Sequence, residues 1–373
     1  MCYPIPSDSV ETAVPSYFLK TMIKPIYIHG SGCISIQPTF EAGYFFDALT
    51  SYAQNPVPAL DPDYKAFIPA LQLRRMNKSM RMALFASRLA MQEAGITAVD
   101  AVITGSGLGC LRDSERFVEH LRAEEGSSLN PTPFIQSTHN MAAAALALSL
   151  GCKGYNMTYV NNANSFESAL LDSLIYLAEH PTETVLLGGV DELGERTPQF
   201  WDIAGYLKHE GAEIPTPLDD RTPGEIAAEG AIFFIASQQQ SYQTLGKVLA
   251  VETRLEVDNP PAFIAEFLQR NGVSTDALDA VMLGCNGDAR YDGIYRTLGD
   301  TLFADLPQVA FKHALGEYDT VVAAALFLVL GIFQHQHIPQ TLLLNEVSSR
   351  TLQRILIYTQ RRGQNHSVIL VEK

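Results

Sequence analysis

Cysteine, basic charge and long apolar runs are all scarce in this chain of 373 residues. The five cysteines (Cys2, Cys33, Cys110, Cys152 and Cys285) are scattered and odd in number. No C-x-x-C pair occurs, so neither a zinc site nor a disulfide framework is indicated. No metal and no cofactor are expected. Lys and Arg total 26 against 41 Asp and Glu, a net charge of −15. That balance argues against nucleic acid as a partner. It disfavours, without excluding, an acidic carrier protein docked over a wide face. No apolar run is long enough to cross a bilayer, and the best, Val321 to Phe333, has only helix length. Residues 1–21 lack a basic start followed by an apolar block, so they are not a secretory signal. They are expected to be a poorly ordered extension, with a first strand beginning near Met22. A cytoplasmic protein without membrane contact is the expectation. GSGLGC (105–110) lacks the third glycine of G-x-G-x-x-G, so a dinucleotide site is not indicated.

What is present is a repeat. Asp100-Ala-Val-Ile-Thr-Gly recurs as Asp279-Ala-Val-Met-Leu-Gly. Each copy follows a helix-like stretch closed by a glycine, Gly95 and Gly272. Further on, AAALALSLG ends at Gly151 and AAALFLVLG at Gly331. The three offsets are 177, 179 and 180 residues. Short apolar runs (Val99–Thr104, Thr184–Leu187, Ala280–Leu283, Ser367–Val371) read as buried strands. The Ala-rich stretches 140–150 and 320–333 are apolar nearly all round, so both are expected to be helices buried on every side. The pattern predicts five layers, α-β-α-β-α, with those two helices in the middle. It divides the chain into an N-terminal half, 22–240, and a C-terminal half, 241–373, in one compact unit. Residues 191–228 form an aperiodic excursion containing Trp201, Pro215, Pro217 and Pro223.

The duplicated layout resembles the thiolase fold, and several motifs resemble the β-ketoacyl-acyl-carrier-protein synthases within it. They are RRMNKSMRMALFASRLAMQEAGI (74–96), TGSGLGC (104–110), NPTPFIQSTHNMAAAALALSLG (130–151), LLGGVDEL (186–193) and TPLDDRTPGEIAAEGAIFFIAS (216–237). The resemblance spans residues 22–373, and the last two motifs are the most specific. GYNMTYVNNANSFESAL (154–170) has the layout of the segment carrying the nucleophilic cysteine. Such a thiolate is activated at a helix N-terminus. Two histidines, one held by a lysine, donate to the enolate oxygen, and a glycine-rich loop supplies a gating aromatic.

This sequence departs from that pattern at each part. Ala163 stands where the resemblance places the cysteine. Gly284 falls at the first histidine, followed by Cys285 and Asn286. Lys312 and Gly316 keep the second histidine motif, but Glu317 takes the histidine's place. Arg361 and Arg362 fill gate and glycine positions. A one-residue shift brings Cys285 or His313 nearer the old catalytic spots, but supplies no thiol beside Ala163. Cys285 as a relocated nucleophile lacks an evident activating group. No G-x-S-x-G elbow surrounds Ser165, which with His139 would otherwise suggest a hydrolase. Ser165 is read as a cap for a helix starting at Phe166. Asn161, Asn162 and Asn164 either line a polar pocket or satisfy backbone groups at a tight bend. Arg74, Arg75, Lys78 and Arg81 either dock an acidic carrier or form a solvated basic face.

The resemblance is to a chain-length factor, a subunit without the cysteine that pairs with an active ketosynthase, as in bacterial aryl-polyene and flexirubin pathways. It implies a pocket bordered by Asn161, Asn162, Asn164, Phe166, Cys285 and Arg361, with Phe166 close to the partner and the acyl tunnel. It implies a dimer contact through the strand at 155–161, with Phe134, Ile135, Tyr155, Met157 and Tyr159 at its centre. Two alternatives stay open: a divergent active 3-oxoacyl synthase or other acyltransferase, and a homodimeric acyl-binding or regulatory protein.

Overall fold

Alternation along the strands sets the layers. Val185 and Leu187 face one core while Leu186 between them faces another. Ile232, Phe234 and Ala236 likewise oppose Ala231, Phe233 and Ile235. A strand that is apolar on both faces must be covered on both. The computed structural model describes residues 24–123, 130–209, 222–345 and 350–373, so the expected extension 1–21 lies outside the described residues.

The strands are β1 (Ile26–Ile34), β2 (Ala101–Gly105), β3 (Asn156–Tyr159), β4 (Thr184–Asp191), β5 (Gly230–Ser237), β6 (Gly246–Arg254), β7 (Ala280–Leu283), β8 (Gln308–Ala310), β9 (Arg354–Arg361) and β10 (Gln364–Glu372). Their order is β3-β2-β4-β5-β1-β6-β10-β9-β7-β8. Read outward from the middle, both sides match. β2 pairs in parallel with β3 and β4, as β7 does with β8 and β9. β5 is antiparallel to β4 and β1, as β10 is to β9 and β6. β1 and β6 join the two sets through Ile26–Val248, Tyr27–Lys247 and Ile28–Gly246. This is the duplicated α/β thiolase-like layout.

The helices are α1 (Ala70–Leu73), α2 (Lys78–Glu93), α3 (Leu111–Ala123), α4 (Thr132–Gln136), α5 (Met141–Leu150), α6 (Ser165–Glu179), α7 (Thr197–Ile203), α8 (Pro260–Arg270), α9 (Gly293–Asp300), α10 (Lys312–Leu315) and α11 (Val322–His335). The repeat has a local cause. Asn77 caps α2 by accepting from Met80 N at 3.0 Å, and Asn259 caps α8 by accepting from Ala262 N at 3.1 Å. Each chain then turns at a left-handed glycine, Gly95 (φ +66) and Gly272 (φ +71). Gly30 and Gly32 on β1 let α2 lie close: a Cβ on Gly32 would stand 2.0 Å from Ala86 O.

The central layer holds α6 and α11, packed between the inner faces of both strand sets. This corrects the expected middle pair. α11 is buried as predicted, but α5 lies on an outer face beside α2, and Leu148 is 85% exposed. The match of AAALALSLG to AAALFLVLG was therefore between helices that are not equivalent. α5 lies between β2 and β3, whereas α11 lies between β8 and β9, the place that α6 holds in the first set. An Ala- and Leu-rich composition marks close packing, but does not say whether the cover comes from the same chain.

Leu326→Ala on α11 should cost about 2–5 kcal/mol, as for buried leucines generally. Leu148→Ala should leave the isolated chain within about 0.5 kcal/mol of its starting stability. Denaturant titration of both variants checks the assignment, and the reverse ranking would reject it.

Candidate functional site

Between β3 and α6 the chain makes a tight bend. Asn162 sits at φ +46, a left-handed conformation that asparagine tolerates. Asn164 N donates to Asn161 O at 2.9 Å, and Ser165 N donates to Asn162 O at 3.1 Å. Ser165 Oγ accepts from Asn161 N at 2.9 Å and donates to Asn162 O at 2.6 Å. Ser165 thus ties the bend and is the first residue of α6, where a cap one residue before the helix was expected. Asn161 Nδ2 donates to Ser168 Oγ at 3.1 Å. Asn164 Oδ1 is buried without a hydrogen-bond partner. Ala163, buried, presents a methyl at the head of this helix. The helix N-terminus there favours an anion, and a methyl cannot form one.

A closed ion pair lies on the facing segment. Lys312 Nζ donates to Glu317 Oε1 at 3.0 Å and Oε2 at 2.8 Å, and both side chains are buried. Asn286 Nδ2 donates to the same Oε2 at 2.8 Å. The side chain that reaches Glu317 is therefore Asn286, two residues beyond the expected Gly284. At Gly284 a Cβ would stand 2.8 Å from Thr359 Cβ and 3.0 Å from Tyr295 Oη, so the position has no room for a histidine. His313 turns elsewhere, to Thr341 O at 2.9 Å, and burial pushes its pKa down.

Arg361 ends β9. Arg362 (φ +53) and Gly363 (φ +78) form the two-residue turn into β10, with the paired positive φ of a tight hairpin. Arg361 donates to Asp319 Oδ1, and at 3.1 Å to Glu225 Oε1. Arg362 donates to the same Glu225 oxygen at 2.6 Å, and its guanidinium lies 3.7 Å over the Tyr206 ring. Burial works against the Arg361 charge, but Asp319, Glu225 and Glu317 hold it protonated. The cluster thus ties the hairpin to the 191–228 excursion, where Trp201 packs on Leu193, Leu207 and Ala227.

Beneath it are the acids of the LLGGVDEL motif. Asp191 Oδ1 accepts from Gly107 N at 2.8 Å, and Asp191 Oδ2 accepts from Thr320 N at 2.9 Å and Oγ1 at 2.8 Å. Burial and the neighbouring Asp319 push its pKa up. Glu192 accepts from Ser79 N at 2.9 Å and Arg112 N at 3.0 Å, near the starts of α2 and α3. Lys78, one of the four basic residues considered for carrier docking, is spent on Glu229 inside the fold.

Sequence reasoning missed Glu167, four residues beyond Ala163. It is 1% exposed, and neither carboxyl oxygen has a hydrogen-bond partner among the described residues. The Ser367 hydroxyl beside it bonds Thr359 Oγ1 at 2.9 Å. Burial pushes its pKa up to about 7, with Ser367 and Lys312 opposing. Its place in the first turn of a helix reads as an ordinary solvated acid, so only the packing marks it.

Comparison with known proteins agrees with this architecture. A model of the β-ketoacyl synthase N-terminal domain family matches residues 50–203. A 3-oxoacyl-[acyl-carrier-protein] synthase 2 of Mycobacterium bovis is 26% identical over 194 residues, which is 48% of this chain and 46% of that protein. The one from Mycobacterium leprae is 25% identical over 190 residues. The chain thus spans about half the length of the curated relatives it matches. Solved structures align far more widely. The ishigamide ketosynthase/chain length factor has a TM-score of 0.77 at 18% identity, covering 94% of this chain and 99% of that one. A ketosynthase in complex with its chain length factor from Xenorhabdus doucetiae has a TM-score of 0.69 at 15% identity, covering 94% and 98%. The fold is that of a β-ketoacyl synthase. The family model covers residues 50–203 only, whereas the fold likeness covers nearly all of the chain.

Within this synthase-like chain the six expected pocket residues do not share one cavity. Phe166 is fully buried in the central core, tilted against Phe234 at 6.0 Å between ring centroids. In the chain by itself Phe166→Ala is therefore a core deletion. Cys285 is buried in a different core, with Tyr295 and Tyr358, beyond the second strand set. Asn161 lines a pocket of about 380 Å³ with Tyr159, Glu167 and Asp172. Arg361 belongs to the hairpin cluster. Of the five expected contact residues, Phe134, Ile135 and Met157 are exposed, while Tyr155, just before β3, and Tyr159 at its end are half-buried. No group of three or more metal-ligating side chains occurs among the described residues, and none of their helices is long and apolar enough to cross a membrane.

The raised acids make stability depend on pH with a definite sign. Glu167, Glu192 and Asp292 are each pushed up to about 7, first by burial. Their folded pKa values lie above the unfolded values, so the native state holds extra protons between about pH 4 and 7. His29, His313 and His366, pushed down by burial, act the other way below about pH 6.5, so Tm should fall as pH rises from about 6.5 to 7.5 and then level off. Glu167→Gln should flatten that fall. Glu115, Asp288 and Glu372 are shifted down, so their contribution is lost only in more acidic solution. Separately, Lys312→Met should cost about 3–5 kcal/mol, because it strands Glu317 in the interior. Calorimetry across this pH range and denaturant titration check both statements, and a rising Tm would reject the first.

Proposed function

We propose that this chain is a non-catalytic, chain-length-factor-like subunit that completes an active ketosynthase in fatty-acid or polyketide-type biosynthesis, of the aryl-polyene kind. The observation that carries this reading is the methyl of Ala163 at the head of α6. Condensation by this fold begins with acyl transfer to a thiolate, and no thiol stands at that bend. The surroundings agree. A decarboxylating malonyl group needs donors free to meet a developing enolate. Here the donors of Lys312 and Asn286 are engaged by Glu317, a carboxylate of the wrong sign. A gate needs freedom to swing, whereas Arg361 and Arg362 are pinned by Asp319 and Glu225.

The role left is that of a partner. β3 is an edge strand with nothing paired to its outer side among the described residues. Exposed apolar residues lie on it and on nearby elements: Met157, Val160, Leu148 on α5, and Leu171 and Ile175 on α6. Phe134 and Ile135 on α4 are each 58% exposed. A cluster of this kind marks an interaction surface, and an unpaired edge is a template for another strand. The structural neighbour from Xenorhabdus doucetiae, a ketosynthase with its chain length factor, offers the matching assembly.

Three expected outcomes test this reading. The chain alone should not condense acyl and malonyl carriers, and Ala163→Cys alone should not restore turnover, since Asn286 and Glu317 still leave the enolate without free donors. Co-expressed with a cysteine-containing synthase from the same genome, it should purify as a one-to-one complex that condenses. Turnover by the chain alone, lost on Cys285→Ser, would replace this reading with that of a divergent enzyme. A stable homodimer that ignores the synthase would favour the acyl-binding alternative.

A further inference from the structure

The pocket beside β3 is walled by Tyr159, Asn161, Glu167 and Asp172 on one side and by Val251, Glu252 and Thr253 of β6 on the other. Its volume is about 380 Å³. Leu171 and Ile175 at its mouth belong to the exposed apolar surface of α6, so the pocket is continuous with the face assigned above to the partner. Three of its side chains are acids, and no lysine or arginine lines it.

The acids differ in how they are satisfied. Glu252 already accepts from Arg254 Nη2 at 3.1 Å and Arg270 Nη2 at 2.5 Å. Glu167 is buried with both oxygens unpartnered, and Asp172 Oδ2 is buried and unpartnered as well. The Tyr155 and Tyr159 hydroxyls lie beside Asp172. Lys312, the cation near Glu167, is committed to Glu317. A buried carboxylate without a full complement of donors is costly, and among the described residues Ser367 and Lys312 for Glu167, and the two tyrosine hydroxyls for Asp172, relieve it only in part. A bare metal ion does not suit the pocket, because its acids are too dispersed to form a ligand cluster. A long side chain ending in a cation does: its stem lies along Leu171 and Ile175, and its head meets the acids.

Resting on the heterodimer reading, we propose that this pocket receives a basic side chain, arginine or lysine, of the partner subunit, seated against Glu167 and Asp172. The unpaired acids are then one half of a charge pair whose other half arrives with the partner. They also supply discrimination: a partner that places an acid or a bulky apolar group here leaves the Glu167 carboxyl buried without a cation.

The test uses the full chain and its co-expressed synthase. Glu167→Gln keeps the shape and removes the charge. It should leave the Tm of the free chain at pH 8 unchanged or higher, while weakening the heterodimer by about tenfold or more in Kd. Asp172→Asn should weaken it in the same direction and by less. These opposite signs separate the proposal from a merely structural role, which would lower the Tm of the free chain. A Kd within about twofold of the unsubstituted complex for both variants overturns the proposal and leaves the heterodimer intact. A fall of several degrees in the free-chain Tm for both variants overturns it too. Absence of any complex with the unsubstituted chain removes the heterodimer reading and this proposal together. The same cation chemistry has a free source, so spermidine at about 1 mM is added to the isolated chain. A rise in Tm that vanishes in Glu167→Gln would assign the pocket to a small polyamine and overturn the partner as occupant.

Discussion

The Asp191 carboxylate is the constraint on which the site hangs. It ends β4, the middle strand of the first set, and is fully enclosed. One oxygen holds the turn after β2 through Gly107 and Leu108, and the other holds Thr320 at the approach to α11. A strand end, a glycine-rich turn and the entry to a central helix are thus fixed to one side chain. Gly107 has to be glycine here, since a Cβ would stand 2.3 Å from Asp319 Cβ. Asp319 in turn meets Arg361, and Arg361 meets Glu225. The two halves of the repeat are therefore joined at the site by a chain of charges as well as by the β1–β6 pairing. An acid so placed forces its neighbours into exact company, because any donor withdrawn leaves charge in the interior.

That chain of charges also braces the site from within. Here Glu317 closes on Lys312, Asn286 completes it, and the arginine pair closes on Glu225. The acids that organise the fold, Asp191, Glu192 and Glu229, are likewise held by donors. Glu167 is the exception: neither of its carboxyl oxygens has a hydrogen-bond partner among the described residues.

Much of the fold was legible in the sequence. The helix closed by a glycine and followed by Asp-Ala-Val recurs because both halves need the same cap, the same left-handed turn and the same buried strand. The third landmark misled, since α5 and α11 share a composition without sharing a position. Composition reports how closely a helix can be approached, and Leu148 is as apolar as Leu326 whichever molecule covers it. At the site, Ala163 and Glu317 stood out because they interrupt motifs of the resemblance, and the structure sets Glu317 against Lys312. The place of Asn286 did not, because counting along a strand end cannot tell which side chain turns inward. Phe166 and Cys285 lie apart for a related reason: neighbours in sequence at a strand or helix end face different cores. Glu167 was invisible, since a glutamate in a first helical turn is ordinary until its surroundings are known.

The shortness of β3 has a consequence of its own. Only Asn156 to Tyr159 form the exposed edge. Backbone ladder bonds are the same for every sequence, so an edge this brief gives any visiting strand little to hold and no means of being told apart. On the partner reading proposed above, telling a copy of the chain from a different protein falls to what surrounds the edge: the bulk of Phe134 and Ile135, the exposed Leu148, and the acids beneath. Selectivity rests with side chains that lie outside the strand and are free to diverge without disturbing it. A duplicated enzyme scaffold can thus change its company while keeping its fold.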